Sequence, residues 1–189
     1  MGETTNRCAW VNMKNPQYIQ YHDTEWGIPQ HSDKMLFELL VLEGFQAGLS
    51  WECILNKREN FRVAYDDFDI EKVSQYNEGK IQSLLSDAGI IRNRLKVQAS
   101  VTNAKVFLKI QEEFGSFDSY IWGFTAEKII CESYDIRTTS PLSDQISKDL
   151  KKRGMKFVGS TVIYSYLQAI GVINGHGPEC DCFKHDCCD

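Results

Sequence analysis

Helical periodicity runs through most of this sequence, whereas the alternating apolar and polar pattern of half-buried strands is nearly absent. The longest predicted helix spans residues 92–113, where apolar residues recur every three or four positions: Val97, Val101, Ala104 and Leu108. A chain of 189 residues with this pattern is expected to be all-α, folded as one domain or as two tightly joined helical lobes.

Capping residues and glycines predict further helix boundaries. One helix is expected to begin at Ser32 or Asp33, and the next to begin after Ser50, because these side chains accept hydrogen bonds from the free N–H groups of a first turn. Two more helices, over residues 143–154 and 160–171, each begin with serine and end on glycine. They form a helical hairpin near the end of the chain.

Cysteine content and the first residues of the chain indicate the cell compartment. Seven cysteines are an odd number, and the start "MGETTNRCAW" lacks the apolar core of a signal peptide. No apolar run is long enough to span a bilayer. We therefore expect a cytoplasmic protein without membrane association, whose cysteines bind metal or are buried rather than forming a disulfide framework.

Charge argues against a chain that attracts nucleic acid over its whole surface, because the net charge is −5. A local basic patch exists in "KDLKKRGMKF". Nucleic-acid binding depends on such patches rather than on the total charge, so this class of function stays open.

Glu43 lies where a carboxylate is unexpected. It falls on the same helical face as Leu36, Leu39 and Leu40, in "ELLVLEGFQAGLSW". An ionised carboxylate on an apolar face is costly unless something compensates it. Two interpretations remain at this point: the carboxylate reaches water or pairs with a distant arginine, or it belongs to a binding site.

Cysteine and histidine at the two ends of the chain suggest a metal site. Cys8 and His22 lie near the start, and His176 and Cys180 form an H-x-x-x-C pair near the end. Thiolate and imidazole are the ligands that Zn2+ prefers, and four of them complete a tetrahedral structural site. Simple burial is an equally good interpretation of the spacing. The tail also offers rival ligands: Cys182, His185, Cys187 and Cys188.

The segment "LKKRGMKFVGSTVIYSYLQAIG" reads as helix, glycine-bounded turn, helix. N–H groups between Gly154 and Gly159, together with the start of the second helix, suit a phosphate. Lys152, Arg153 and Lys156 flank the turn. The segment resembles a helix-hairpin-helix element over about residues 143–171, although Gly-Met-Lys-Phe-Val-Gly departs from the usual core of that motif. An ordinary hairpin with a solvated basic face is the alternative.

Aromatic residues are frequent around Glu43 in the sequence. Trp10 and Phe45 are expected in the core. Tyr21, Trp26 and Trp51 instead precede and follow the carboxylate closely, and aromatic planes are what an unstacked base packs against.

Several blocks together resemble the DNA-3-methyladenine glycosylase I family: "RCAWV", "YIQYHDTEWGIP", "LFELLVLEGFQAGLSWECILNKRENFR", "DAGIIRNRLKVQA" and "RGMKFVGSTVIYSYLQA", followed by H-x-x-x-C. They occur in order over nearly the whole chain. The resemblance implies a single all-α helix-hairpin-helix glycosylase domain over residues 1–189, with two helical lobes and a central cleft. It implies an enzyme that flips 3-methyladenine out of alkylated double-stranded DNA, hydrolyses the N-glycosidic bond and leaves an abasic site and the free base. Nothing in the sequence suggests more than a monomer.

The resemblance also implies roles for individual residues. Glu43 corresponds to the catalytic pocket carboxylate that hydrogen-bonds the methylated base. The residues that enclose the base correspond to Tyr21 and Trp51, with Trp26 and Tyr18 close by. Leu49, after Gly48, corresponds to the wedge that fills the gap left by the flipped nucleotide. DNA-backbone contacts are implied for the hairpin residues Gly154, Lys156 and Gly159.

For the metal, the resemblance implies one structural Zn2+ per chain that holds the two ends of the chain together. Its ligands correspond to Cys8, His22, His176 and Cys180. The chain departs from the family pattern at two positions. Phe45 replaces an expected glutamine, which predicts an altered pocket rim, and Gly175 replaces an expected aspartate, which predicts a looser loop or a lost contact beside the metal.

Alternatives to a glycosylase share some of these features. A non-catalytic reader of alkylated DNA would show the same cleft and hairpin but would release no base. A hydrolase of small nucleosides would have no use for the basic face of the hairpin. A purely structural metal-binding helical protein would need none of the aromatic residues around Glu43.

Overall fold

Ten α-helices make up almost all the regular structure of residues 6–132 and 137–183, the part of the chain that the computed structural model describes. The helices are α1 (Pro16–Thr24), α2 (Asp33–Gln46), α3 (Trp51–Leu55), α4 (Arg58–Ala64), α5 (Ile70–Ser74), α6 (Glu78–Ser86), α7 (Arg94–Phe114), α8 (Phe117–Gly123), α9 (Pro141–Arg153) and α10 (Ser160–Ala169). A 3-10 turn, Asp66–Phe68, follows α4. The predicted all-α class is confirmed.

Two short strands were not predicted from the sequence. β1 (Ile130–Cys131) and β2 (Ile173–Asn174) pair in parallel, with Ile130 opposite Ile173. Two residues per strand are too few for an alternating pattern to be seen, so periodicity could not reveal them.

α2 is the central helix. Every residue from Leu36 to Phe45 is buried, and the helix packs against α3, α7, α8 and α10. A helix that is buried on all sides carries apolar residues all round rather than on one stripe. Two glutamates, Glu38 and Glu43, therefore lie inside the protein, and each needs its own explanation.

Caps largely explain where the helices begin. Ser50 accepts a hydrogen bond from the Cys53 N–H (3.2 Å) and starts α3 as predicted. Asn93 caps α7, so that helix begins two residues later than the predicted start at residue 92. Ser140 forms a capping box with Ser143, which moves the start of α9 back to Pro141.

Asp33 caps a helix other than its own. Ser32 occupies the N-cap of α2 without a side-chain hydrogen bond. The Asp33 carboxylate instead accepts the N–H groups of Phe117 (2.9 Å) and Asp118 (2.8 Å) in the first turn of α8, and the side-chain amide of Gln111 (2.6 Å). The start of α2 is thereby joined to the α7–α8 corner.

Two hydrophobic clusters divide the interior. The larger one surrounds α2, α7, α8 and α10, and the smaller one brings both ends of the chain together through Cys8, Val11, Tyr21, Trp26, Leu55, Ala169 and Cys180. Trp51 packs against both clusters. The residues predicted to hold a base therefore lie where the two clusters meet. No helix of the described residues is long and apolar enough to cross a membrane.

Candidate active site

A pocket of about 260 Å³ opens where α1, α2, α3 and α10 meet. Its lining residues are Trp10, Tyr18, Tyr21, Trp26, Glu43, Gln46, Trp51, Ser165 and Gln168. The structure thus brings together the predicted carboxylate and all four predicted aromatic residues. This volume lies below the roughly 300–1,000 Å³ of pockets that enclose drug-sized ligands, so the pocket suits a small ligand.

Glu43 lies at the inner wall of the pocket and is only 3% exposed. Its Oε2 atom has no hydrogen-bond partner in the described structure, and burial raises the pKa of the carboxyl from 4.5 to about 8. Glu38, on the same helix, is equally buried but accepts from Arg58 Nε (2.5 Å) and Arg62 Nη2 (2.8 Å). Pairing with a distant arginine, the bland explanation considered for Glu43, therefore applies to Glu38 and not to Glu43.

Tyr21 and Trp51 form an aromatic wall beside the carboxyl. Their ring centroids are 5.3 Å apart at an interplanar angle of 47°. Tyr21 is buried, and burial raises its pKa well above the usual value, so the phenol stays neutral. The Trp51 Nε1–H is buried without an acceptor in the described residues. Glu43 Oε2 and Trp51 Nε1 are thus unpaired polar atoms on two residues that line the pocket.

Trp10 lies in the pocket rather than in the core, which corrects the expectation from the sequence. It is half-buried, with its centroid 4.8 Å from Trp26 and 5.3 Å from Tyr18. The prediction was wrong because the segment before α1 folds over the pocket, which its local sequence does not indicate.

Three polar lining residues were also missed. Gln46 follows Glu43 by three positions and so lies on the same face of α2. Ser165 and Gln168 have the same spacing on α10, where they are the polar residues that follow the first turn of a largely apolar helix. That polar stripe is the signal that could have identified them.

Phe45 does not line the pocket. It is 1% exposed and packs edge-on against Phe61, with centroids 4.9 Å apart. The predicted effect on the pocket rim is therefore wrong, because the side chain at position 45 points into the core while Gln46 faces the pocket.

Gly175 lies directly behind two residues that line the pocket, Gln168 and Trp26. A Cβ atom there would lie 2.7 Å from Gln168 Nε2 and 3.0 Å from the Trp26 ring. The glycine thus lets two lining side chains lie closer to the backbone than any other residue would permit. The glycine at position 175 therefore affects the packing of the pocket wall as well as the loop that carries His176.

The four predicted metal ligands converge. Cys8, His22, His176 and Cys180 are all buried, and their ligand atoms lie within 4.8 Å of one another. Sulfur-to-nitrogen distances are 3.4 Å for Cys180–His22 Nε2 and 3.5 Å for Cys180–His176 Nδ1. Tetrahedral bonds of about 2.3 Å to sulfur and about 2.0 Å to nitrogen place such atoms about 3.5 Å apart. This cluster could hold a metal ion.

The outer nitrogens of both histidines are also occupied. His22 Nδ1 lies 2.8 Å from Asp23 Oδ1, and Asp23 is held in turn by Arg7. His176 Nε2 lies 3.2 Å from the Trp26 carbonyl oxygen. Carboxylate and carbonyl partners of this kind orient metal-binding imidazoles.

Cys182 contacts His22 on the ring nitrogen that faces away from the four ligands, at 4.0 Å. It therefore does not replace any of them. The other rival ligands, His185, Cys187 and Cys188, lie outside the described residues.

The predicted DNA-facing residues lie on the surface. Leu49 is 41% exposed and follows Gly48, whose φ of +81° favours glycine. The hairpin turn begins at Gly154 (φ +104°) and ends at Gly159, the N-cap of α10, with Lys156 exposed between them.

Two basic residues of the hairpin, Arg153 and Lys156, already make hydrogen bonds within the protein. Arg153 donates to Asp149 Oδ2 and Glu113 Oε2, each at 2.6 Å. The Lys156 N–H donates to Asn103 Oδ1 at 2.8 Å. At position 156 the side chain alone is available to a phosphate, and Arg153 is a weaker candidate for such a contact than the sequence predicted.

Comparisons with known proteins agree with this arrangement. The sequence model of the methyladenine glycosylase family matches residues 10–185. DNA-3-methyladenine glycosylase 1 of Escherichia coli is 44% identical over 181 residues, which cover 94% of this chain and 96% of that protein. DNA-3-methyladenine glycosylase of Haemophilus influenzae is 40% identical, covering 94% and 98% of the two chains.

The fold agrees as well. A solved structure of 3-methyladenine DNA glycosylase I from Staphylococcus aureus superposes on this chain with a TM-score of 0.90 at 38% identity. That structure describes how the Staphylococcus aureus enzyme recognises 3-methyladenine. The superposition covers 96% of this chain and 98% of that one. With the family pattern, the fold and the aromatic pocket in agreement over almost its whole length, this chain belongs to the methyladenine glycosylase family.

Proposed function

We propose that this enzyme excises 3-methyladenine from alkylated double-stranded DNA by hydrolysing the N-glycosidic bond, leaving an abasic site and the free base. The observation that carries the proposal is the buried, unpaired carboxyl of Glu43 inside a pocket walled by aromatic rings. The Escherichia coli and Haemophilus influenzae relatives bear the name of this activity.

The charge of the lesion explains the carboxyl. Methylation at N3 of a nucleoside adenine leaves a formal positive charge on the ring. Burial raises the pKa of the Glu43 carboxyl to about 8 and so favours its neutral form, whereas a cationic base beside it would stabilise the carboxylate, with the proton released to solvent. A normal adenine is neutral, so it would leave a buried carboxylate uncompensated, which disfavours its binding.

The same charge reduces the catalytic task. A cationic base is already a good leaving group, so less stabilisation is needed than for a neutral one. The stretch after the hairpin, "GVINGHG", contains no aspartate that could act as a further catalytic carboxylate. Its Asn174 side chain has a structural role, because Oδ1 accepts the His176 N–H at 3.1 Å. We propose that Glu43 accepts a hydrogen bond from the flipped base and also orients the attacking water.

Base flipping would use the remaining predicted residues. Tyr18, Tyr21, Trp26 and Trp51 would enclose the base, and each base–aromatic contact is worth roughly 1–3 kcal/mol. Leu49, raised by the turn at Gly48, would fill the gap in the stack. Gly154, Lys156 and Gly159 would contact the DNA backbone at the start of α10.

We further propose one structural Zn2+ on Cys8, His22, His176 and Cys180. The two sulfurs and two nitrogens, their near-tetrahedral spacing and their partners Asp23 and Trp26 support zinc over harder cations. A closed set of four protein ligands leaves no position for substrate, so the metal would join the chain ends rather than take part in the reaction.

Release of free base from methylated duplex DNA, followed by chromatography, tests the proposal. The expected result is a 3-methyladenine peak that grows with time and enzyme concentration. A non-catalytic reader would bind the same DNA without producing the peak. A hydrolase of small nucleosides would act equally well on 3-methyldeoxyadenosine and on duplex DNA.

A further inference from the structure

Two buried polar side chains on α7 face two different predicted DNA-contacting segments. Lys96 is 7% exposed and Asn103 is 5% exposed. They lie two helical turns apart, so they share one face of α7 and are separated by about 10 Å along its axis. Neither belongs to the base pocket.

Lys96 holds the end of α2. Its Nζ donates to the carbonyl oxygens of Phe45 (2.8 Å) and Ala47 (2.6 Å), the last carbonyls before the Gly48–Leu49 turn. A cation at this position satisfies carbonyls that the helix leaves free and complements the negative end of the helix dipole. Because the ammonium is turned inward, it is not presented to a DNA phosphate.

Asn103 holds the hairpin. Its Nδ2 donates to the Lys156 carbonyl oxygen (2.9 Å), and its Oδ1 accepts the Lys156 N–H (2.8 Å). The next residue, Phe157, has a φ of +54°, a conformation that a bulky side chain rarely adopts. The paired bonds from Asn103 therefore fix the turn at a residue that would otherwise relax.

The two fastened segments also touch each other. A Cβ atom at Gly44 would lie 3.6 Å from the Cβ atom of Phe157. The last turn of α2, the hairpin turn and one face of α7 thus lie side by side and line one small gap, which Lys96 and Asn103 border.

We propose that Lys96 and Asn103 are positioning residues that fix the Leu49 turn relative to the helix-hairpin-helix turn. Together they hold the wedge and the backbone-contacting turn in one fixed arrangement. The proposal rests on the proposed function, since it assigns these segments to DNA. It predicts that each residue acts through the segment it holds: Lys96 on wedge insertion and Asn103 on backbone binding.

Wedge insertion can be measured without catalysis. The probe is a duplex with a tetrahydrofuran abasic analogue beside 2-aminopurine, whose fluorescence reports loss of stacking. Lys96→Met is expected to bind this duplex with nearly unchanged affinity but to lose most of the fluorescence change, as Leu49→Ala does, while Lys96→Arg restores it. Lys105→Met is the matched control, because Lys105 is an exposed lysine on the same helix.

Asn103→Leu gives an independent arm. It is expected to weaken duplex binding by on the order of tenfold, because a displaced turn would lose about one hydrogen bond to a charged phosphate. Affinity for free 3-methyladenine, measured by calorimetry, is expected to remain unchanged in all these variants, which shows that the pocket is still folded.

Three results would overturn the proposal. One is a wild-type fluorescence change in Lys96→Met together with wild-type affinity in Asn103→Leu. The second is a fall of about one in the salt dependence of binding for Lys96→Met, the mark of a direct phosphate contact. The third is a loss of affinity for free 3-methyladenine in Lys96→Met or Asn103→Leu as large as the loss seen with the duplex. Because tetrahydrofuran carries no base, the fluorescence and duplex-affinity readouts do not depend on whether the wild type releases 3-methyladenine, a failure that would contradict the proposed function alone.

Discussion

Glu43 and Trp51 face one pocket, and each holds a buried polar atom, Oε2 and Nε1, without a hydrogen-bond partner in the described residues. An unsatisfied buried polar group costs about 1–3 kcal/mol. Both residues line the pocket, so a ligand bound there could supply the partners that these two atoms lack. The edge of a purine offers both a donor and an acceptor.

The first prediction concerns stability and pH. Because folding raises the pKa of Glu43 from 4.5 to about 8, the folded state holds a proton that the unfolded state has lost. Stability is therefore fully present below pH 4.5 and is lost as the pH rises to about 8, by up to about 4–5 kcal/mol. Glu43→Gln is expected to lack this loss.

Urea unfolding of both proteins at pH 5 and pH 8.5 measures the difference. Tyr18 and Tyr21 on α1 and Tyr166 on α10 interact with Glu43, but burial raises the pKa of each, so none titrates in this range. Parallel stability curves for wild type and variant would contradict a raised pKa.

The second prediction concerns the metal. Cys8→Ser is expected to lower bound zinc and to destabilise the protein by on the order of several kcal/mol, because zinc binding is coupled to folding. Cys53→Ser is the control, since Cys53 is a free cysteine outside the cluster. Zinc content by mass spectrometry and thermal unfolding measure the effect, and equal zinc content in both variants would refute the ligand set.

The third prediction concerns Gly175. Gly175→Ala is expected to displace Gln168 and press on Trp26, weakening the binding of free 3-methyladenine by about 1 kcal/mol, or about fivefold. Gly123→Ala is the control, because a Cβ atom at Gly123 meets nothing within 4 Å. Calorimetry measures the affinity. An unchanged affinity combined with a loss of bound zinc would contradict this effect on the pocket. It would instead support the role predicted from the sequence, an effect of position 175 on the loop or on a contact beside the metal.

The fourth prediction separates two basic residues of the hairpin. Lys156→Ala is expected to reduce the slope of log affinity against log salt by about one, because its exposed side chain neutralises a phosphate. Arg153→Ala is expected to change the slope little, since Arg153 is paired with Asp149 and Glu113. Duplex-binding titrations from low to moderate salt test this, and equal slopes for both variants would contradict it.

Local spacing predicted the helices, whereas the pocket role of Glu43 was implied by the resemblance to the glycosylase family. Glu43 could be recognised as anomalous from its position on the apolar face of α2. What distinguishes it from Glu38, however, is the pairing of Glu38 with Arg58, twenty residues further along the chain. No local pattern indicates which of two buried glutamates a distant arginine reaches.

Long-range packing also explains the remaining misses. Trp10 was assigned to the core because its neighbours say nothing about where the first segment folds. Lys96 reads as a solvated lysine in a first helical turn, and only the approach of α2 buries it against the Phe45 and Ala47 carbonyls. The strands Ile130–Cys131 and Ile173–Asn174 pair across more than forty residues, which periodicity does not detect.

The central claim is that the Glu43 carboxyl reads the positive charge of the lesion. The most direct measurement compares wild type and Glu43→Gln in single-turnover release of 3-methyladenine from methylated duplex DNA at pH 8, with zinc content and fold verified for both. Glutamine keeps the shape of the side chain and removes its charge, so we predict a rate lower by on the order of 100-fold. Release at the wild-type rate by the folded variant would contradict the claim.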